Sequence, residues 1–454
     1  MTKNHLALAF MLWSLVACSG ADPSRSDEGQ SAVIQPEWSR NDVIYELNLR
    51  QFTKEGTFRS AAAKLQELKD LGVDIIWLMP IQPIGELNRK GSLGSYYSIR
   101  DYKGINPEFG TANDFKDFVT QAHDLGMKVI IDWVANHTSW DHAWTQSHPE
   151  WYTQNEKGEF VPPVADWSDV IDLNYDQPAL REAMIEAMAF WVKEYDIDGF
   201  RCDVADMVPQ DFWEAARARL DAIKPVFMLA EAENPKLHEK AFNMAYGWKM
   251  HHTLNKIAKG ASLNALDSLV QVYRTTFPKD TYIMHFTSNH DENSWNGTEF
   301  ERMGDGVQAF AVLAATMEGM PLIYNGQEVG MDKRLKFFDK DSIPWRASAF
   351  RGMYQTLNLL KEEQSSLWNG TKGAPMIKLE GNMSDRVYAF HRTNEEHSVM
   401  VILNFSTDST QVSLNTEALP YRYKDVFLGS TLTMSSNLNV ALSPWDYKVY
   451  IKYE

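Results

Sequence analysis

Short apolar runs that end in charged or amide side chains recur along the chain, and helix-patterned stretches lie between them. One run ends at Asp132, with Asn136 and His137 just beyond it. A second passes through Gly199, Phe200, Arg201 and Cys202 to Asp203, a third ends in Glu231, and a fourth ends in Asn289, His290 and Asp291. Each is rich in β-branched or aromatic residues, the pattern of buried strands in a parallel sheet of βα units. Polar side chains supplied by the ends of several different strands mark a (β/α)8 barrel enzyme. This repetition constrains the fold more than composition does.

Eight strands can be counted on that pattern: 43–49, 75–79, 129–135, the run holding Arg201 and Asp203, 226–230, 244–248, 282–288 and 321–324. Helices are expected over 61–71, 115–125, 178–194, 209–223, 263–275 and 307–317, and one over 354–362 closes the barrel. Between 138 and 177 no helical period holds, and the stretch is too long for an ordinary loop. It reads as a small domain inserted after strand 3. From about residue 373, strands over 387–390, 398–403, 410–414 and 447–452 follow one another without helices, which indicates an all-β sandwich. The fold class is therefore α/β: a (β/α)8 TIM barrel over 37–137 and 178–370, a small inserted domain over 138–177, and a C-terminal all-β sandwich domain over 371–454.

The N-terminus reads as targeting rather than fold. Lys3 precedes an apolar stretch over 6–16, too short for an ordinary spanning helix. The run Leu15, Val16, Ala17, Cys18 resembles a bacterial lipoprotein signal, with a plain secretory signal as the alternative. Residues 1–18 would be the signal, Cys18 the lipidated residue and 19–36 a polar tether. The expected location is the bacterial cell envelope, with membrane attachment only through the lipid on Cys18. The second of the two cysteines, Cys202, falls inside a predicted strand, so no intramolecular disulfide is expected. A net charge of −17 argues against nucleic acid and against a basic membrane-binding patch. It suits a neutral ligand, and fifteen Trp offer rings of the kind that stack on sugar faces.

Arg201 and Asp203 are two apart on one strand and so share a face. A guanidinium beside a carboxylate favours its ionised form, which a carboxylate nucleophile requires. A purely structural ion pair satisfies the same residues, because buried charges must be paired.

Together these segments resemble the α-amylase superfamily, glycoside hydrolase family 13. Asp132-Trp133-Val134-Ala135-Asn136-His137 is similar to its third-strand motif and Gly199-Phe200-Arg201-Cys202-Asp203 to its fourth. Glu231 stands at the fifth strand and Asn289-His290-Asp291 at the seventh. Tyr97 before Asp101-Tyr102, and Gly326-Gln327-Glu328, add to the likeness. The resemblance implies a retaining hydrolase of α-glucosidic bonds in starch-type glucans or malto-oligosaccharides. Asp203 would be the nucleophile, Glu231 the acid and base, and Asp291 the stabiliser of the transition state. Tyr97, His137, Arg201 and His290 would bind the reacting sugar. An α-glucan transglycosylase is the alternative, and a catalytically silent glycan-binding protein a more distant one.

The chain also departs from the family pattern. Asp206 stands where many relatives have Lys, which places it among candidate substrate-binding residues. Asn174 replaces a frequent Asp, leaving Asn136 at most as a calcium ligand. No cofactor is needed for the chemistry, and a structural calcium is not favoured.

Overall fold

The computed structural model describes residues 33–419 and 422–453; Lys3, Cys18 and the lipid-anchor reading lie outside them. In chain order its first strands are β1 (Ile44–Leu47), β2 (Ile75–Leu78), β3 (Lys128–Trp133), β4 (His137–Ser139), β5 (Val170–Asp172), β6 (Gly199–Cys202), β7 (Phe227–Ala230), β8 (Met244–Tyr246), β9 (Tyr282–His285) and β10 (Met320–Tyr324). All except β4 and β5 close into a parallel barrel ordered β1-β10-β9-β8-β7-β6-β3-β2. All eight expected strands are therefore present.

Inward positions show why the barrel carries a site at one end. Ile44, Ile130, Phe227, Leu229 and Met284 belong to one fully buried interior cluster with Trp77 and Tyr246. Two residues further along the same faces come Glu46, Asp132 and Glu231. The inward stripes of β1, β3 and β7 thus change from apolar to charged at the C-terminal ends of the strands, the face from which barrel enzymes act. Pairing sets Asp132 beside Arg201, and Arg201 beside Leu229. Gly199 is required by close approach: a Cβ there would stand 1.8 Å from the Phe227 carbonyl oxygen.

Helices over Ala112–Asp124, Pro178–Tyr195, Gln210–Asp221, Asn264–Thr276, Val307–Thr316 and Ala349–Glu363 agree with expectation within a few residues. Thr111 caps the first of these in a reciprocal box with Asp114, and Pro178 opens the second, where its missing N–H costs nothing. The helix expected over 61–71 is instead two, Phe58–Ala62 and Leu65–Asp70, because a capping box of Thr57 and Ser60 starts the first a turn early. The sixth strand is shorter than expected. The strand ends at Tyr246, and Trp248 opens a helix over Trp248–Ala258 that the apolar pattern does not announce.

After β3 the chain makes its excursion, pinned by antiparallel pairing of β4 with β5. The C-terminal strands are β11 (Met376–Lys378), β12 (Gly381–Asn382), β13 (Val387–Thr393), β14 (Ser398–Asn404), β15 (Thr410–Asn415), β16 (Arg422–Asp425), β17 (Thr431–Thr433), β18 (Asn437–Leu442) and β19 (Tyr447–Lys452). They form sheets ordered β11-β13-β14-β19-β16-β17 and β12-β15-β18. Ala389, Met400 and Ile402 from the first meet Val412, Leu414 and Val440 from the second in one apolar layer, the packing of a sandwich.

Candidate active site

One guanidinium organises the charged end of the barrel. Arg201 is fully buried, and its Nη1 donates to Asp132 Oδ1 and to Asp203 Oδ1, each at 2.9 Å. Its Nη2 lies 2.9 Å from Glu231 Oε2, an ion pair whose angle departs from hydrogen-bond alignment. Nε donates to the Tyr246 hydroxyl at 3.2 Å. One cation thus faces three carboxylates, so it cannot hold all of them at ordinary acidity. Burial raises Asp203 to about 6; Arg201 opposes the rise and Asp132 adds to it. Burial raises Glu231 further, to about 7, again against Arg201 and with help from Asp203 and Asp291. The expectation that Arg201 keeps Asp203 ionised holds only in this relative sense.

Glu231 is also aimed by strained backbone. Immediately after Asp203 the chain turns at Val204 with φ +38°, a left-handed conformation that a β-branched residue rarely adopts. That turn directs the Val204 N–H to Glu231 Oε2 at 2.8 Å. The nucleophile candidate and the acid candidate are therefore linked through one peptide group as well as through Arg201.

A second chain of contacts runs from β1 to β9. Glu46 accepts from His290 Nδ1 at 2.5 Å, and His290 Nε2 lies 2.8 Å from the Tyr97 hydroxyl. The Tyr97 hydroxyl in turn donates to Asp132 Oδ2 at 3.0 Å, and Trp77 Nε1 donates to the same oxygen at 3.2 Å. Burial works against a charge on His290, yet Asp291 and Glu46 outweigh it and raise the ring to about 9. His290 is thus an imidazolium that donates from both nitrogens. Burial sends His137 the other way, to about 3, against a hydrogen bond with the Tyr97 backbone, so it stays neutral.

Tyr97, His137, Asp203, Glu231, His290 and Asp291 line one cleft of about 390 Å³. Asp291 keeps 35% of its side chain exposed, so it faces the space rather than the core. Two expected site residues fall elsewhere. Arg201 lies beneath the cleft and does not line it, because all its donors are turned to the barrel's own side chains. Asp206 is exposed on the rim, where Asn234 donates to it at 2.8 Å.

A family model described as the α-amylase catalytic domain matches residues 24–163 and 147–351, and one described as the α-amylase C-terminal all-β domain matches 380–442. The chain belongs to the α-amylase family. A solved noncanonic maltogenic α-amylase from Thermotoga neapolitana is 30% identical, with TM-score 0.84 over 91% of this chain and 99% of that one. An α-amylase from Lactobacillus plantarum is 31% identical, with TM-score 0.82 over 92% and 100%. An α-amylase of Haloarcula japonica is 28% identical over 84% of this chain, which spans 57% of that relative's length.

Within this α-amylase scaffold the donor set around Asn136 does not fit a structural calcium. Among the described residues no three His, Cys, Asp or Glu side chains are grouped to hold a metal. The Asn136 amide nitrogen lies 3.3 Å from His137 Nδ1, Asp172 Oδ2 accepts from Thr153, and Asn174 Oδ1 accepts from the Asp176 N–H. These groups supply one carboxylate, fewer than a calcium site ordinarily gathers.

The site contains groups that sequence reading left without a role. Asp132 was visible as a motif residue, but its grip on Arg201, Tyr97 and Trp77 needs the barrel to be closed. Glu46 had no signal beyond being a lone acid in an apolar run. Trp167, Trp295, Phe337 and Phe338 also line the cleft; aromatic density in loop segments was the available hint.

Proposed function

We propose that this α-amylase-family enzyme hydrolyses α-glucosidic bonds in starch-type glucans or malto-oligosaccharides with retention of configuration. The observation that carries the reading is the pair Asp203 and Glu231 in one cleft, both 2.9 Å from Arg201 and both pushed up by burial. Two carboxylates in one cleft are the arrangement of a nucleophile and a general acid. Asp203 attacks C1 of the bound sugar as the bond from C1 to the glycosidic oxygen breaks, and the leaving oxygen takes the proton of Glu231. Water then attacks C1, Glu231 accepts its proton, and the Asp203 ester is released. Asp291 faces the sugar as positive charge develops at C1, and the strained Val204 turn holds Glu231 for both proton transfers. Every step uses side chains of this chain alone. Capture of the intermediate by a sugar hydroxyl in place of water would give transglycosylation.

The test is Asp203→Asn. It should reduce kcat on maltoheptaose by at least about 10³-fold while the protein still binds the oligosaccharide; unchanged turnover would remove Asp203 from the chemistry. Attachment to the cell envelope through a lipidated Cys18 is proposed separately, and Cys18→Ala should release the protein from membrane fractions.

A further inference from the structure

The loops around the cleft close it on one side. Lys90, in the loop after β2, donates to the Asp166 carbonyl at 2.6 Å and pairs with Asp169 at 3.0 Å, both in the excursion between β3 and β6. Its neighbours Ser92 and Leu93 bind the loop after β10. The Ser92 N–H donates to Asp339 Oδ1 at 3.0 Å, and the Leu93 N–H donates to the Phe338 carbonyl at 3.0 Å. Gly91 packs so closely against Phe338 that an added Cβ would lie 2.4 Å from the Phe338 Cβ. Trp295, in the loop after β9, then packs at a tilt against Phe337 and Phe338 with ring centroids 5.2 and 5.8 Å away. Lys90, Trp167, Asp169, Trp295, Phe337 and Phe338 all line the cleft. A continuous collar therefore runs from the β3 excursion through the β2 and β10 loops to the β9 loop.

The opposite side is tied by Asn234 donating to Asp206 at 2.8 Å but lines the cleft more thinly. Among the described residues, the stretches after β6, β7 and β8 contribute only Asp203, Val204 and Glu231 to the lining. Barrel order places β1 diametrically across from β7, with β2 and β10 on its two flanks. Under the reading above, Glu231 after β7 protonates the leaving oxygen, so the leaving chain lies on the β7 side. The sugar bonded to Asp203, and any units on its non-reducing side, extend across the mouth towards β1. That is the collared side.

We propose that the cleft is blind at its glycone end: the enzyme is exo-acting, takes glucan chains by their non-reducing ends, and the Lys90–Asp169 bridge is a specificity-determining part of the wall. The inference rests on the hydrolase reading and on the assignment of Glu231 as acid. It excludes the interior of a long chain, because such a chain would have to pass through the collar.

The test compares maltoheptaose with maltoheptaose carrying a benzylidene group on its non-reducing-end glucose, with products resolved by chromatography. The free oligosaccharide should be cleaved to short products from its non-reducing end. The blocked one should be cleaved at least about 100-fold more slowly, the scale of loss that misplacement of a substrate produces. Equal rates on both would overturn the blind cleft while leaving the hydrolase reading intact; cleavage of neither would overturn the hydrolase reading and the inference with it. Lys90→Ala should raise the rate on the blocked relative to the free substrate by about 10-fold or more. An unchanged ratio would contradict the role given to Lys90.

Discussion

A single guanidinium facing Asp132, Asp203 and Glu231 leaves the cluster with surplus negative charge, and that surplus sets how the site titrates. Asp203 at about 6 must lose its proton to act, and Glu231 at about 7 must keep its own. Activity should therefore fall as pH drops below about 6, when Asp203 protonates, and fall as pH rises above about 7, when Glu231 ionises. The two groups interact, so the limbs report the pair rather than either residue alone. Measurement of kcat/KM against pH should give a bell with its maximum between those values; a profile flat from about pH 5 to about pH 9 would contradict the assignment. At this scale the sequence was informative about which residues meet and silent about their balance. Arg201 and Asp203 announce a pair by their spacing, but that Asp132 and Glu231 share the same cation depends on β3, β6 and β7 lying side by side.

At the scale of the element, the barrel strands were legible because each is a short apolar run, and because the inward stripes of β1, β3 and β7 end in a charge. The strands of the C-terminal sandwich were less so. Arg422–Asp425 is polar at alternate positions and Gly381–Asn382 is only a two-residue pairing, so neither stands out from a loop. Gly199 shows what a strand position can demand beyond hydrophobicity. Gly199→Ala would drive a methyl group into the Phe227 carbonyl and force β6 from β7, the two strands that carry Asp203 and Glu231. Chemical denaturation should show a loss of about 3 kcal/mol, the upper range for overpacking, with activity lost alongside. A stability change within about 0.5 kcal/mol of zero, as for an ordinary surface substitution, would refute the close approach.

The whole molecule is held together across the barrel and the sandwich by a buried arginine. Arg392 on β13 donates to the carbonyls of Met317 and Ala374 at 2.8 Å and of Trp368 at 3.1 Å, at the far end of the helix Val307–Thr316 and after Ala349–Glu363. Burial lowers its pKa to about 10, yet it remains charged at neutral pH. At the other end of β13, Phe310 packs on Phe405 with ring centroids 4.7 Å apart. Arg392→Ala would leave several buried carbonyls without donors, and a loss of about 3 kcal/mol is expected, read as a lower midpoint of one cooperative thermal transition. A separate early transition of the sandwich alone would show that the two parts are not coupled in this way.

Retention of configuration at C1 is the outcome on which the role of Asp203 depends. Proton NMR of the first reducing ends released from maltoheptaose records their configuration before mutarotation scrambles it. Two displacements at C1, by Asp203 and then by water, predict α-anomers; initial release of β-anomers would mean a single direct displacement by water and would contradict the role of Asp203.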